Sequence, residues 1–255
     1  MCIACSPPTN HVIAGLPEDV RQRWLPQLEK VNLPQRLVLH ESGRPMNFAY
    51  FPTTAVVSIV YVTADGESTE LALIGNEGIV GIELLLGGGS MPNRAVVGSP
   101  GEALRLPARV LQEEVDRVGS ASRLLLRYTL ALSSLVAQTA VCNRHHSLYE
   151  RLCRWLLLNL DRGQDNVVVA THEQIAYSLG VRREGVTEGA QRLQALGQIS
   201  YARGRIQVVD RTGLERQACE CYRVVKNEYN RLLPLARSTP QPLTNPLDLL
   251  IGQPF

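Results

Sequence analysis

The segment THEQIAYSLGVRREGV, residues 171–186, decides the interpretation of this chain of 255 residues. Thr171 and Gln174 form a capping box: the threonine hydroxyl can accept a hydrogen bond from the amide three residues on, and the glutamine can accept one from the cap amide. A helix is therefore predicted to begin here. Ala176 is small where two helices must cross, and Gly180 opens the turn to a second helix. The segment predicts a helix-turn-helix.

The second helix, from about Arg182 to Leu196, begins with side chains suited to reading base edges in the major groove of DNA. Arg183 can donate two hydrogen bonds to guanine O6 and N7, and Glu184 can accept one from cytosine N4. Glu188 lies one turn further along the same helix. It can either accept from cytosine N4 or repel phosphate, and the sequence leaves both roles open.

Two short strands, residues 198–201 and 205–209, follow this helix and predict a hairpin whose tip is basic. Arginines at such a tip are placed to pair with backbone phosphates. An arginine-rich helix start can also be a solvated surface. However, a capping box, a turn glycine, a basic helix and a basic hairpin in one segment favour a winged helix-turn-helix on double-stranded DNA. The predicted DNA-binding residues are Thr171, Arg182, Arg183, Glu184, Thr187, Glu188, Arg203 and Arg205.

Upstream, the sequence between Pro34 and about Leu106 has the two-residue period of half-buried strands. Turn signals rich in glycine separate the apolar runs. Several short strands joined by tight turns predict a β-sandwich or barrel. The predicted strands are Arg36–Leu39, Ala55–Val62, Thr69–Ile74 and Arg94–Val97.

After Pro107 the period becomes helical, and a helix is predicted from about Ser120 to Asn143. Two stripes run along it, so one can face the β domain while the other meets a partner chain; alternatively, both face the core of a monomer. The stripe assigned to the dimer interface comprises Leu124, Tyr128, Ala131, Leu135, Gln138 and Cys142. The stripe beside it comprises Leu125, Thr129, Leu132, Val136 and Thr139.

Composition and charge exclude little by themselves. A hydrophobic content of 45% is enough to bury real cores, and a formal net charge of +2 is too small to identify a polyanionic partner. The amino terminus, MCIACSPPTNHVIAGL, lacks the regions of a signal peptide. The longest apolar runs, such as Ala55–Val62, are far shorter than the roughly 20 residues of a membrane helix. A cytoplasmic protein without membrane association is expected.

Between about Leu37 and Leu214 the chain resembles the Crp/Fnr family of bacterial regulators. Residues 171–186 resemble the DNA-reading motif of that family, in which Arg183-Glu184 match an Arg-Glu pair that contacts bases. Residues 39–43 and 76–81 resemble turns of its cyclic-nucleotide-binding β-roll. The helix at 120–143 corresponds to the dimer helix of the family. The resemblance implies a homodimer on a palindromic site that also contacts RNA polymerase.

The sensor motifs depart from the pattern of members that bind cyclic nucleotides. Ile79 stands where those members carry the glutamate that holds the ribose hydroxyl, and Asn93 stands where they carry the phosphate-binding arginine. Arg94 comes one place later, where strand alternation points it to the other face. Ordinary cyclic-nucleotide binding is therefore not expected; the alternative is a responder that uses Arg94 in an altered pose. The candidate pocket comprises Glu77, Gly78, Ile79, Gly81, Asn93 and Arg94, and its effector is unknown.

The cysteines and histidines could form a metal or redox site, or they could be ordinary side chains. The pair Cys2 and Cys5 resembles the iron-sulfur branch of the family, but the further cysteines of that branch are missing. Cys219 and Cys221 are predicted to lie on one helix over 214–232, where side chains two residues apart point about 200° apart and suit a shared metal poorly. The pair at 145–146 is interpreted as solvated or capping histidines. No metal site and no cofactor are predicted.

Motifs of catalysis are not found, so the chain is not predicted to be an enzyme. From another class, a protein-docking module without DNA function is the remaining alternative. The predicted fold is α+β: an N-terminal double-stranded β-roll over 1–119, a long dimerisation helix and hinge over 120–146, and a C-terminal winged helix-turn-helix over 147–233. The tail at 234–255 is predicted to be disordered.

Overall fold

The structure is a computed structural model that describes residues 9–117, 119–163 and 165–233. The tail at 234–255, with its predicted disorder, and the pair Cys2 and Cys5 lie outside these residues. Within them the chain forms an N-terminal β domain, one long helix, and a C-terminal helix-turn-helix with strands. The predicted α+β fold is confirmed.

Seven strands of the described N-terminal part form two antiparallel sheets. One sheet has the order β1-β7-β3 and the other β2-β6-β4-β5. Alternate side chains, among them Val57 and Ala95, point between the sheets and are buried. The strands are β1 (Glu29–Leu33), β2 (Val38–His40), β3 (Phe48–Pro52), β4 (Val56–Val62), β5 (Ser68–Ile74), β6 (Arg94–Ser99) and β7 (Gly101–Pro107).

The four strands that the sequence predicts make up one complete sheet. The sequence pattern did not predict the individual strands of the other sheet. Strand β1 shows why, because only Leu33 among its five residues is buried. An edge strand exposed over most of its length has no apolar alternation to mark it. The short helices of this part are α1 (His11–Gly15), α2 (Glu18–Trp24) and α3 (Ala108–Asp116).

The long helix α4 (Ser120–His145) packs one face against the β domain and against the last helix of the chain. Tyr128 is fully buried there, and its hydroxyl donates to the Ile79 carbonyl at 3.0 Å. The stripe predicted for the dimer interface is therefore wrong, since the protomer itself covers it. Tyr128, Ala131, Leu135 and Cys142 are buried, Leu124 is half-buried, and Gln138 donates to Cys221 Sγ.

The C-terminal part is a small three-stranded sheet surrounded by helices. Its sheet has the order β8-β10-β9. The single helix predicted over 214–232 is two helices, because the chain breaks at Ala218 and Cys219. The elements are α5 (Leu148–Arg162), β8 (Val167–Val169), α6 (His172–Leu179), α7 (Arg183–Ala195), β9 (Ile199–Ala202), β10 (Arg205–Val208), α8 (Arg211–Gln217) and α9 (Glu220–Leu232).

Arg162, at the end of α5, joins the two parts of the chain. Its Nε lies 2.9 Å from Glu77 Oε1 and donates to the Leu73 carbonyl at 2.8 Å. The guanidinium also lies 5.4 Å from the centre of the Tyr229 ring. The chain of Gly75 passes so close to Arg162 that an added Cβ would lie 2.5 Å from Arg162 Cβ. One buried cation therefore fixes α5 and α9 against the turn after β5.

A second buried contact between the two parts involves Glu70 of β5. Its Oε1 accepts from Trp155 Nε1 of α5 at 3.0 Å. Burial raises the pKa of Glu70 to about 7, although hydrogen bonds from Ser58, Ser178 and Trp155 act to lower it. The carboxyl group thus titrates near neutral pH between the β domain and the C-terminal part.

Glu70 predicts a pH-dependent stability. Between an unfolded pKa of about 4.5 and a folded pKa of about 7, the native state holds a proton that the unfolded chain releases. The free energy of unfolding should therefore fall as pH rises through this window, by on the order of 3 kcal/mol from this group. Glu70→Gln should abolish this contribution in urea unfolding measured from about pH 5 to about pH 8. Glu67→Gln, an exposed neighbour, is the control; equal pH profiles for Glu70→Gln and the wild type would contradict the prediction.

Candidate nucleic-acid interface

The helix-turn-helix forms as its sequence predicts. The Gln174 amide donates to Thr171 Oγ1 at 3.2 Å, and the Thr171 amide donates to Gln174 Oε1 at 2.8 Å, which completes the capping box. Gly180 ends α6 in the left-handed region with φ of 63°. Val186 of α7 is fully buried against α5 and α6. The angle between the two helices is therefore set by packing.

Two glycines let α7 lie close against α5. An added Cβ at Gly185 would lie 2.6 Å from Leu148 Cδ2, and one at Gly189 would lie 3.0 Å from Leu152 Cδ2. Glycine costs a helix about 1 kcal/mol relative to alanine. Both contacts are with the ends of leucine side chains, so a methyl group at either glycine would require these side chains to move.

The start of α7 is open to solvent. Arg182 is the cap residue of α7, and Arg183 and Glu184 form its first turn; all three are exposed. Among the described residues, no carboxylate forms an ion pair with Arg182 or Arg183. Glu188, one turn later, is exposed as well. The structure leaves these four side chains available to a partner.

The hairpin of β9 and β10 places two further arginines at its tip. Arg203 and Gly204 form its two-residue loop with φ of 49° and 75°, the positive values that a tight right-twisted hairpin requires. Arg203 and Arg205 are exposed, and within the described ranges neither takes part in a salt bridge. The tip is a cationic projection beside Thr171, at the start of α6.

His172 connects the parts of this surface, a role that sequence reasoning missed. Its ring stacks on Tyr201 of β9 with centroids 4.3 Å apart, and its Nδ1 lies 3.0 Å from Thr187 Oγ1 of α7. Burial, together with the charge of Arg183, lowers the pKa of His172, so the ring is neutral at pH 7. Thr187, predicted to contact DNA, is half-buried in this contact. No local pattern signals it, because Tyr201 reaches His172 only through the fold.

The candidate pocket residues of the β domain do not line one cavity. Ile79 is fully buried beneath Tyr128, and Glu77 is engaged by Arg162. Arg94 pairs with Glu41 at 2.8 Å and lines a different cleft of about 470 Å³, between the outer face of the four-stranded sheet and α5 and α6. Gly78, Gly81 and Asn93 do not line that cleft either.

The expectation that Cys219 and Cys221 point apart is wrong. Cys219 is the cap residue of α9 and Cys221 lies in its first turn, so the angular spacing of an ideal helix does not apply to them. Ligand atoms of Cys142, His146, Cys219 and Cys221 all lie within 4.8 Å of one another. The histidine pair is also split, because His146 faces this cluster while His145 is exposed.

Two family models match the chain over the regions just described. A cyclic nucleotide-binding domain matches residues 30–117, and a Crp-like helix-turn-helix domain matches residues 150–217. The chain belongs to the Crp/Fnr family. It is accordingly a DNA-binding transcription regulator. A search of curated proteins finds no match.

Solved structures of Crp/Fnr regulators share the fold. A putative Crp/Fnr regulator from Eubacterium rectale is 16% identical with a TM-score of 0.63, over 80% of this chain and 95% of that chain. FixK2 from Bradyrhizobium japonicum is 17% identical with a TM-score of 0.64, over 75% and 98%. CLP from Xanthomonas campestris, described as c-di-GMP responsive, is 18% identical with a TM-score of 0.58, over 75% and 99%. At these identities the likeness concerns the fold.

One helix of the described chain, Ala121–His145, is long and apolar enough to cross a membrane by length and composition alone. Serine, threonine and glutamine interrupt its sequence, so it contains no long uninterrupted apolar run. Its inner face packs on the rest of the protein, as a core helix of a soluble fold does. Only 28% of its most apolar window is buried, however, so much of an apolar helix faces outward.

Substitution of Gly180 tests the contact between the helix-turn-helix and the β domain. An added Cβ at Gly180 would lie 2.9 Å from Thr69 Oγ1 and 3.1 Å from the Ser68 carbonyl. Gly197 has a similar φ of 69° but open space around it. Each change to alanine should cost about 1 kcal/mol through backbone strain. Gly180→Ala should cost at least about 1 kcal/mol more in urea unfolding, because of the contact with the β4–β5 hairpin; equal losses would show that this contact is unimportant.

Proposed function

We propose that this transcription regulator is a cytoplasmic homodimer that reads a palindromic DNA site with the start of α7 and grips the flanking backbone with the β9–β10 hairpin. This proposal rests on four exposed arginines that have no carboxylate partner among the described residues: Arg182, Arg183, Arg203 and Arg205. Several arginines elsewhere are paired, as Arg94 is with Glu41 and Arg105 with Glu29. Cations left unpaired on one surface suit a polyanion.

The two basic elements have different tasks in this proposal. Arg183 and Glu184 stand on the first turn of α7, from which a recognition helix contacts base edges. The hairpin arginines would contact phosphates, which fixes register without reading sequence. Thr171, beside the hairpin at the start of α6, is exposed and would contact the backbone as well. The docking of α6 on β5 leaves this whole surface open.

The outward face of α4 supports the homodimer. Leu126 and Leu130 are 59% and 50% exposed, and Val141 is 46% exposed. Exposed positions recur with spacings of four and three residues along this face: 126, 130, 133, 137, 140 and 144. Four of these six positions carry apolar side chains, Leu126, Leu130, Ala137 and Ala140, and apolar side chains at this spacing are typical of a helix that pairs with another helix. This seam lies two residues from the stripe assigned by sequence, on the opposite side of the helix.

The proposal includes an expectation about the signal. Because Ile79 replaces the ribose-binding carboxylate and is buried, we expect no ordinary cyclic-nucleotide binding. A responder that uses Arg94 is the alternative, and micromolar binding of cyclic AMP or cyclic GMP in calorimetry would favour it.

Contact with RNA polymerase is implied by the family. A protein-docking module without DNA function would be favoured by binding to DNA that is independent of salt.

Arginine variants test the DNA interface. A site is first obtained by genome-wide DNA selection with the purified protein, and affinity is then measured by fluorescence anisotropy at several salt concentrations. Arg183→Ala should lose about 1–3 kcal/mol on the selected site and less on random DNA. Arg203→Gly should reduce the salt slope by about one while relieving the positive φ of Arg203, so that stability is kept.

The control for these variants is Arg117→Ala, an exposed arginine of the β domain. It should bind the selected site as the wild type does. Unchanged affinity and salt slope in the α7 and hairpin variants would contradict the proposed interface.

Leucine variants test the dimer. Leu126→Glu places a charge in the α4 seam and should raise the dimer dissociation constant at least about tenfold, since pairing would bury two like charges. Leu86→Glu is a matched control, because Leu86 is also 59% exposed but lies in the β domain. Analytical ultracentrifugation should show dimers for the wild type and Leu86→Glu. A dimer of unchanged affinity in Leu126→Glu would place the interface elsewhere.

A further inference from the structure

Three cysteines and one histidine from two distant segments meet at the hinge. Cys142 and His146 lie one turn apart at the end of α4, while Cys219 and Cys221 lie at the start of α9. All three cysteines are nearly completely buried. Cys142 Sγ lies 3.6 Å from Cys219 Sγ, and Cys221 Sγ lies 3.4 Å from His146 Nδ1. The four ligand atoms form a compact group within 4.8 Å of one another.

Two of these separations, 3.6 Å between Cys142 Sγ and Cys219 Sγ and 3.4 Å between Cys221 Sγ and His146 Nδ1, are close to those around a single tetrahedral ion. With metal–sulfur bonds of about 2.3 Å and metal–nitrogen bonds of about 2.0 Å, the ligand atoms of a tetrahedral zinc site stand about 3.5–3.8 Å apart. An ion could therefore enter with small side-chain movements. An iron-sulfur cluster is too large, because its thiolates stand further apart than those around one ion. We propose that Cys142, His146, Cys219 and Cys221 bind one zinc-type divalent metal ion.

Neighbouring side chains orient the ligands in the way a metal site requires. Glu220 Oε1 lies 3.2 Å from His146 Nε2 and can accept a hydrogen bond from its N–H group. This fixes the tautomer in which Nδ1 carries the lone pair that faces the sulfurs. Gln138 Nε2 donates to Cys221 Sγ at 3.1 Å, a contact that favours the thiolate. A carboxylate behind the histidine is the usual arrangement at zinc.

The surrounding charges also suit the bound ion. Three thiolates, a neutral imidazole and a divalent cation carry a net charge of about −1. Arg154 is buried, and its charge acts on both Cys142 and Cys221. Its Nη2 donates to Thr139 Oγ1 at 3.0 Å, while its Nε has no hydrogen-bond partner among the described residues. The positive end of α9 adds to this field. A buried anionic centre is therefore compensated.

Four protein ligands leave no open coordination position, which makes the site structural rather than catalytic. The ion joins the last turn of the dimer helix α4 to the first turn of α9, across the hinge that leads to α5. It thereby holds the C-terminal part against the long helix. This inference does not depend on DNA binding.

Metal content of the full-length protein tests the site. Protein purified under reducing conditions should contain about one zinc per chain by mass spectrometry of the metal. Cobalt exchanged for zinc should show the visible bands of a tetrahedral, thiolate-rich site. Cys142→Ser, Cys219→Ser and Cys221→Ser should each lose the metal and these bands. Cys153→Ser, in which a buried cysteine outside the cluster is changed, and the double variant Cys2→Ser/Cys5→Ser should keep both.

Glu220→Gln tests the site even if the cysteine variants do not fold, because it keeps all four ligands. Because it removes the carboxylate behind His146, it should weaken zinc about 10–100-fold in competition with a chromophoric chelator. The proposal is overturned if the reduced wild type neither contains nor takes up zinc or cobalt. It is likewise overturned if Cys142 and Cys219 are recovered as a disulfide and reduction does not restore metal uptake. DNA affinity is not the readout, so either result leaves the proposed function standing.

Discussion

The relation between the two halves of the molecule depends on the buried guanidinium of Arg162. Its partners are the Glu77 carboxylate, the Leu73 carbonyl and the Tyr229 ring, which belong to the turn after β5 and to α9. A buried charge that lost one of these partners would be costly, because little solvent could replace it. The turn that resembles a nucleotide-binding element of the family therefore holds the C-terminal part in place here.

The contact of Glu77 with Arg162 affects how the β domain is interpreted. The loop at 75–79 is closed from two sides, by Arg162 against Gly75 and by Tyr128 against Gly78. Any signal that moves the loop must also move α4 or α5. Since α4 leads to α5 and the helix-turn-helix, the path from this loop to the proposed DNA interface is short and consists of packed contacts.

The long helix α4 has one face packed on the protomer and the other face exposed. Its inner face is tied to the β domain by Tyr128 and to α9 by Gln138 and Cys142, while Leu126 and Leu130 remain outside. A metal ion at the end of α4 would strengthen the contact between α4 and α9 at the point where the chain turns toward the helix-turn-helix. The outer face stays exposed, as the proposed pairing with a second copy requires.

The sequence by itself determined the local features of the fold and of the site. The capping box of Thr171, the turn at Gly180 and the hairpin with Arg203 depend on neighbours a few residues apart, and all were predicted. Only the tertiary structure decided which side of α4 is buried, since helical periodicity is the same for both sides. It also decided that Cys142 meets Cys219, 77 residues later, and that His172 stacks on Tyr201. Such contacts arise from how elements pack, and no spacing within one element contains that information.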